Sequence, residues 1–317
     1  MRRVLLFLNP IHVERRDRRT TVDRVAELLR GSGCVVEMQD SLSAYSASEQ
    51  AREAVENGFD TIFVCGGDGT ILQVVQGVAG SDVALGIIPF GTGNVLAQNL
   101  RVPRDPMAAA RAQMHARTVS IPLGKVACKT LGHVKERNWY FTIAAGMGVH
   151  AALMNLAPTG AGKRVGGALA YYVAGVRLLV QHPIDPFDLE VTTTGGEVRR
   201  FLANEVVAAR VARINLWHAG GDLLNPSLRV ASLRETTRMG LVHASFHALV
   251  TRKTSGNSSF PYAQFEDASM IVCKPVAGYS YKTPLLVEAD GEVIGMKRAT
   301  ITVAQRRLRV LWPNSAN

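Results

Sequence analysis

The sequence predicts an N-terminal doubly wound α/β domain followed by a C-terminal antiparallel β-sandwich domain. Three observations carry this. Up to about residue 118, short apolar runs alternate with amphipathic segments of helical period, as in a parallel sheet covered on both faces. Beyond that point strand-like runs predominate, which suits antiparallel pairing. The chain has 317 residues, more than a single small domain requires. The expected divisions are 1–118 and 119–298, and the closing stretch 299–317 is free to return to the first domain.

The elements follow in order. Val4–Leu8, Val35–Met38, Thr61–Cys65 and Ala84–Ile88 are largely apolar strand candidates. Between and after them, Arg18–Arg30, Ala47–Asn57, Thr70–Val78 and Asp105–His115 carry the helical period. Alternation of this kind gives a doubly wound sheet, whose ligands bind beyond the carboxyl ends of the strands. In the second half the strand candidates are Trp139–Ala144, Leu189–Thr193, Phe201–Ala209, Met270–Lys274 and Leu285–Glu288, interrupted by a helix over Gly167–Gln181. Ala299–Val303 and Leu308–Leu311 are the last two strands.

Composition narrows the function classes. Apolar residues make up 47% of the chain, enough to bury real cores. The net charge of +10 favours anionic partners. Nucleic acid is not expected, because aromatics are only 6% and no nucleic-acid-binding motif occurs. An acidic membrane surface, bound reversibly, fits the charge better, and Lys297, Arg298, Arg306, Arg307 and Arg309 form a basic stretch. The apolar run Val165–Val180 is too short and too interrupted to span a bilayer. The N-terminal run ends at Asn9-Pro10, too soon for a signal peptide. Cys34, Cys65, Cys128 and Cys273 form no C-x-x-C pair, so a reducing, cytoplasmic setting is expected. His243 and His247 stand four apart but lack a third ligand, and Asn257-Ser258-Ser259 is read as a chance sequon. The oligomeric state is not set by the sequence, and a homodimer is compatible with it.

Two loops carry the chemistry. Cys65-Gly66-Gly67-Asp68-Gly69-Thr70 follows a buried strand and opens a helix. Glycines there free backbone N–H groups to approach an anion, and the helix adds its N-terminal dipole. Asp68 repels phosphate, so it belongs there only if it meets Mg²⁺ or accepts a proton. One strand later, Pro89-Phe90-Gly91-Thr92-Gly93-Asn94 repeats the arrangement. Either loop alone could be an ordinary βα turn. At adjacent strand ends, the pair is suited to a triphosphate.

These two segments, G-G-D-G-T and P-F-G-T-G-N, resemble the diacylglycerol kinase catalytic-domain family, which includes bacterial lipid kinases, sphingosine kinases and ceramide kinases. The likeness continues along the chain. Asn9-Pro10 is similar to the family's opening N-P, and Gly146–Ala151 to its segment ending in G-F-D-A. Lys163–Tyr171 resembles its K-x-G-x-x-A-Y, and Ala289-Asp290-Gly291-Glu292 its late D-G-E. The resemblance implies an ATP-dependent lipid kinase with Mg²⁺, acting on diacylglycerol or, alternatively, on a sphingoid base or another lipid. It implies ATP contacts from Asn9, Ser41, Gly66, Gly67, Asp68, Gly69, Thr70, Ile71, Leu72, Thr92 and Asn94. Asp68 would organise Mg²⁺–ATP or act as a base. Glu292 would accept the proton of the lipid hydroxyl, with Asp290 beside it. Without the family, Asp290-Gly291 reads as a hairpin turn. Two departures stand out. Arg15, Arg16, Arg18 and Arg19 occupy the run after N-P where the family is glycine-rich. Ser232-Leu233 offers no carboxylate for a structural divalent ion.

Other readings are weaker. NAD kinases share the G-G-D-G-T loop, and Asn204-Glu205 resembles their N-E, but the second loop differs. A dinucleotide fold needs an acidic residue about 20 positions after Gly146-x-Gly148-x-x-Ala151, and none occurs before Asp185. Gly162-Lys163 lacks the rest of a Walker A loop. A non-catalytic nucleotide- or lipid-binding regulator on the same scaffold is the remaining alternative.

Overall fold

The computed structural model describes residues 2–13, 16–130, 136–156, 183–215, 217–234, 237, 240 and 263–313. The expected helix over Gly167–Gln181, the Lys163–Tyr171 motif, His243, His247 and the Asn257 sequon lie outside the described residues. The chain forms two compact units, Met1–Leu123 with Gln305–Asn317, and Gly124–Ala304.

The first unit is a parallel sheet with helices around it. β1 (Arg3–Leu8), β2 (Val35–Asp40), β3 (Thr61–Gly66) and β4 (Ala84–Pro89) run in the spatial order β2-β1-β3-β4. Every residue of β3 and β4 is buried, which explains their unbroken apolar character. Helices α1 (Pro10–Val13), α2 (Arg16–Gly31), α3 (Ala44–Glu56), α4 (Asp68–Val78), α5 (Val95–Asn99) and α6 (Pro106–Met114) follow. α3 packs on α4 and α2 on α6, with Val22, Val25, Ala26 and Leu29 forming the buried stripe of α2. α3 starts at a capping box made by Ser43 and Ser46. Strand order reverses between β1 and β3, and the carboxyl ends flanking such a reversal are where α/β sheets bind ligands.

The second unit is β-rich and mostly antiparallel. β6 (Glu136–Phe141), β7 (Ala144–Gly148), β8 (Phe187–Thr193), β9 (Val198–Ala209), β12 (Leu228–Arg234), β13 (Ala263–Pro275) and β14 (Leu286–Ala289) supply most of it. The short pair β10 (Arg213–Ile214) and β11 (Trp217–His218) makes a separate ribbon, and α7 (Val149–Leu156) follows β7 directly. β9 pairs with β7, β8 and β12, while β13 pairs with β8, β12 and β15 (Glu292–Trp312). β14 joins β15 to β7. The pairings therefore return on themselves. Inside this unit the guanidinium of buried Arg210 donates to the carbonyls of Leu223, Asn225 and Ser227. It thereby supplies the cationic centre of its own loop.

Two strands run through both units. β5 (Arg117–Thr130) crosses the expected boundary at 118, and β15 replaces the two separate closing strands with one of 21 residues. Lys297 in β15 has φ 74°, a local kink that breaks the apolar alternation there. Its far end reaches the first unit, where Arg309 and Val310 pair in parallel with Ala84 and Leu85. The expected strand Trp139–Ala144 is in fact two, β6 and β7, separated at Thr142–Ile143.

Candidate active site

The first glycine loop connects β3 to α4. Gly67 is the N-cap of α4 and no side chain caps it, which leaves the helix start available to an anion. Asn9, at the end of β1, donates through Nδ2 to Thr70 Oγ1 at 2.8 Å, and its own N–H binds the Cys65 carbonyl at 3.2 Å. The hydroxyl of Thr70 accounts for Gly66: a Cβ there would lie 2.7 Å from Thr70 Oγ1. Ser41 follows β2, its N–H bonded to the Leu8 carbonyl and its hydroxyl to the Ser43 carbonyl. Asn9, Ser41 and the 66–70 loop thus stand together at the carboxyl ends of three neighbouring strands.

The second loop follows β4 and is pinned to the first. The Asn94 amide closes a small ring with Gly91, accepting from its N–H at 3.1 Å and donating to its carbonyl at 2.7 Å. Asn94 takes the left-handed conformation, φ 47°. The carboxylate of Asp68 spans the two loops. Its Oδ2 accepts from Val95 N at 3.1 Å and its Oδ1 from Leu96 N at 3.2 Å, so Asp68 caps the helix that follows the second loop. A Cβ on Gly91 would sit 2.6 Å from the Cα of Gly67. The two loops are one cradle, and Thr92 is exposed at its rim. Arg18, in the first turns of α2, reaches the same place. Its Nη1 lies 3.4 Å from the Phe90 carbonyl and its guanidinium 6.0 Å from the Phe90 ring centre.

Two expectations need correction here. Ile71 and Leu72 are 1% and 0% exposed. Their side chains are core, and any part they take in a ligand site is confined to the backbone. Asp290 is a buried turn anchor rather than an open acid. Its Oδ2 accepts from Thr142 N and Oγ1, both at 2.9 Å, and its Oδ1 from Ile143 N at 2.8 Å and Ala144 N at 3.1 Å. Burial pushes its carboxyl up to about 7, against these hydrogen bonds, which pull it down. With φ 49° at Asp290 and 83° at Gly291, the pair makes the two-residue turn that left-handed conformations allow. Glu292, the next residue, is exposed at the first position of β15, opposite Ala289. Replacement Asp290→Asn leaves one amide oxygen for four donors. Charge-assisted bonds of this kind contribute about 1.5–3 kcal/mol, so denaturant unfolding is expected to show a loss of about 2–3 kcal/mol. An unchanged midpoint would mean that the anchor contributes nothing.

The sequence reading missed three groups in the second unit: His150, Glu205 as a structural partner, and Glu288. Glu288 is 1% exposed and His150 Nδ1 lies 3.5 Å from its Oε1. The available signal was an acid, Glu288, inside an otherwise apolar strand end. Elsewhere a wide polar groove of about 840 Å³ lies at the opposite strand ends, lined by Arg2, Asp60, Thr61, Ala84 and Arg309. It shares no residue with the glycine loops.

Residues 3–126 match the family model described as the diacylglycerol kinase catalytic domain. The first part of the chain is thus similar to the diacylglycerol kinase catalytic domain. The matched region contains the whole cradle, from Asn9 to Asn94. The chain is 35% identical over 166 residues to a diacylglycerol kinase of Bacillus subtilis, which covers 50% of each chain. It is 32% identical over 124 residues to a YegS-like lipid kinase of Cronobacter sakazakii, covering 38% of this chain and 39% of the relative. The chain thus spans half or less of the length of these two curated relatives. A crystal structure of a diacylglycerol kinase from Bacillus anthracis superposes with a TM-score of 0.69 at 18% identity, over 99% of this chain and 97% of the other. That likeness is one of fold, and it spans both the α/β part and the β-rich part of the chain.

Proposed function

We propose that this protein is a member of the diacylglycerol kinase family, an ATP-dependent lipid kinase that transfers the γ-phosphate to a lipid hydroxyl, with diacylglycerol as acceptor and phosphatidic acid as product. The observation that carries the reading is the double glycine cradle at the reversal of strand order, cross-tied by Asp68. In this reading the first unit binds the nucleotide. The open start of α4 and the loop amides face the phosphates, Asn9 and Thr70 fix the edge of the loop, and Ser41, Thr92 and Asn94 complete the rim. Phosphoryl transfer has a loose transition state, so positioning and electrostatic complementarity do most of the work. Asp68, whose oxygens accept from the Val95 and Leu96 amides of α5, is the carboxylate within the two glycine loops, and it would hold a magnesium ion arriving with the nucleotide. Bound there, Mg²⁺ would neutralise phosphate charge. Among the described residues no group of three His, Cys, Asp or Glu side chains forms a metal cage, so the protein would hold the ion through Asp68 and the nucleotide together.

The second unit supplies Glu292, which takes the proton of the lipid hydroxyl as the new bond forms. Among the described residues no helix is long and apolar enough to cross a membrane, and the proposed acceptor is taken from an anionic membrane surface. Of the expected basic stretch, Lys297 and Arg298 are exposed, whereas Arg307 bonds to Ser120 and Arg309 to Asp82. Electrostatic recruitment therefore falls more on the former pair.

The test is a transfer assay with γ-labelled ATP and a panel of diacylglycerol, monoacylglycerol, sphingosine, ceramide and NAD. Label in phosphatidic acid is the expected result. Label in sphingosine or ceramide would move the acceptor, and label in NAD would replace the reading with that of a NAD kinase. ATP binding without transfer to any acceptor would leave a regulator on a kinase scaffold.

A further inference from the structure

Three side chains in the second unit meet where no assigned role explains them. Glu288 lies near the end of β14 and is 1% exposed. Its Oε2 accepts from the Gly291 amide at 3.0 Å. Its Oε1 has no hydrogen-bond partner and faces His150 Nδ1, itself enclosed and unbonded, at 3.5 Å. Glu205, from β9, accepts from the His150 backbone N–H through Oε2 at 2.6 Å, and its Oε1 is likewise buried without a bond. Glu205 therefore holds the start of α7, α7 carries His150, and His150 faces the acid that holds Gly291.

Each link bears on the hairpin that presents Glu292. The turn Asp290-Gly291 is anchored on one side by the four donors at Thr142–Ala144. Glu288 anchors it on the other, and Met154 of α7 lies 3.8 Å from where a Cβ of Gly291 would be. An Asp-Gly pair forms a two-residue hairpin without such help. A buried carboxylate beside it is costly, and an ion pair recovers little net stability there. What such a pair contributes instead is a single geometry.

We propose that His150 and Glu288 are a positioning pair: His150 holds the Glu288 carboxylate against the Gly291 amide, and so fixes the direction in which the hairpin presents Glu292. The proposal rests on the lipid-kinase reading for its effect on turnover, but the clamp itself does not. Glu288 from β14 and Glu205 from β9 are the titratable groups that bear on the ring. Burial works against the charged imidazole, but Glu288, 3.5 Å from Nδ1, and the Glu205 charge outweigh it and raise His150 to about 9. Burial also pushes the Glu205 carboxyl up to about 8, against the His150 charge and two backbone hydrogen bonds. Both groups hold their protons more tightly when folded. Their contribution to stability is therefore complete below the ordinary values of 6.5 and 4.5, and it is lost as pH rises through about 8 to 9.

The experiment compares wild type with His150→Gln, His150→Lys and Glu288→Gln. Two measurements are made: amide exchange at Gly291 by NMR, and kcat and KM for ATP with diacylglycerol micelles from pH 6 to 10. Misplacement of a reacting group by about 1 Å costs up to about 100-fold. Accordingly His150→Gln and Glu288→Gln should lower kcat by about 10- to 100-fold with KM for ATP unchanged, and should expose the Gly291 amide. Wild-type kcat should fall above about pH 9, whereas His150→Lys should recover kcat at neutral pH and move that limb upward. The proposal is overturned by wild-type kcat in both neutral variants, or by a loss that the lysine does not rescue. A Gly291 amide equally protected in Glu288→Gln overturns it as well. If wild type phosphorylates no lipid, the kinase reading fails on its own, and Gly291 exchange together with the imidazole titration still decides whether the clamp exists.

Discussion

Glu292→Gln is expected to lower kcat for lipid phosphorylation by about 10²- to 10⁴-fold, the usual worth of a positioned general base, while ATP affinity stays within about twofold of wild type. The split follows from where the residue sits. Glu292 belongs to the β-rich unit and is exposed just beyond a turn fixed on both sides. The glycine-loop cradle, the proposed nucleotide site, is made of residues from the other unit. Glutamine keeps the size and the hydrogen-bonding capacity but cannot take the proton, so the loss should appear in kcat and leave nucleotide binding untouched. Calorimetry for ATP and steady-state turnover on the same preparation measure the two halves. Near wild-type turnover would reduce Asp290-Gly291-Glu292 to a hairpin, and the catalytic assignment would pass to Asp68 alone.

The second large effect is expected at Gly91. A Cβ there would come 2.6 Å from Gly67 Cα and 2.8 Å from Asn94 Oδ1, closer than real Cβ atoms approach backbone. Gly91→Val must therefore push the two glycine loops apart. It should also break the Asn94–Gly91 ring and disturb the Asp68 cap on α5. The strands that carry the two loops, β3 and β4, are fully buried and do not depend on this contact. We expect ATP affinity to fall about 100-fold, or about 2.7 kcal/mol, with the circular dichroism spectrum retained. Unchanged ATP affinity in a folded Gly91→Val protein would show that phosphate is bound elsewhere.

Much of the α/β unit could be read directly from the residues, because its signals are local. Short apolar runs such as Thr61–Cys65, bounded by glycine, read as buried strands, and the glycines after them announce close backbone approach. The bounds of α2 and α4 lie within about two residues of expectation, the ordinary uncertainty of helix ends. The second unit was harder for physical reasons. β5 contains Pro122 and Gly124, which weaken any strand signal. Gly124 is nevertheless required, since the Phe141 ring occupies the space where its Cβ would be. The closed circuit of β9, β12, β13 and β8 depends on pairings between residues far apart in sequence, which periodicity does not report. Asp290 illustrates the same gap. Its charge suggested chemistry, but its role is set by three amides at Thr142–Ala144 that only the fold brings to it. Glu288 gave a weak signal and His150 none, because the link between them is tertiary.

The return of β15 to the first unit has a consequence for the newborn chain. Synthesis delivers residues in order, and domains generally fold as they emerge. Here the edge of β4 stays unpaired until Arg309 and Val310 have left the ribosome. The first unit, whose strands β1 to β4 precede the β-rich unit in the chain, is consequently completed only after it. Until then it presents a bare parallel strand edge, a template for mispairing with other chains. A chaperone that shields this edge during translation would act on the one interval when the protein is most exposed to aggregation.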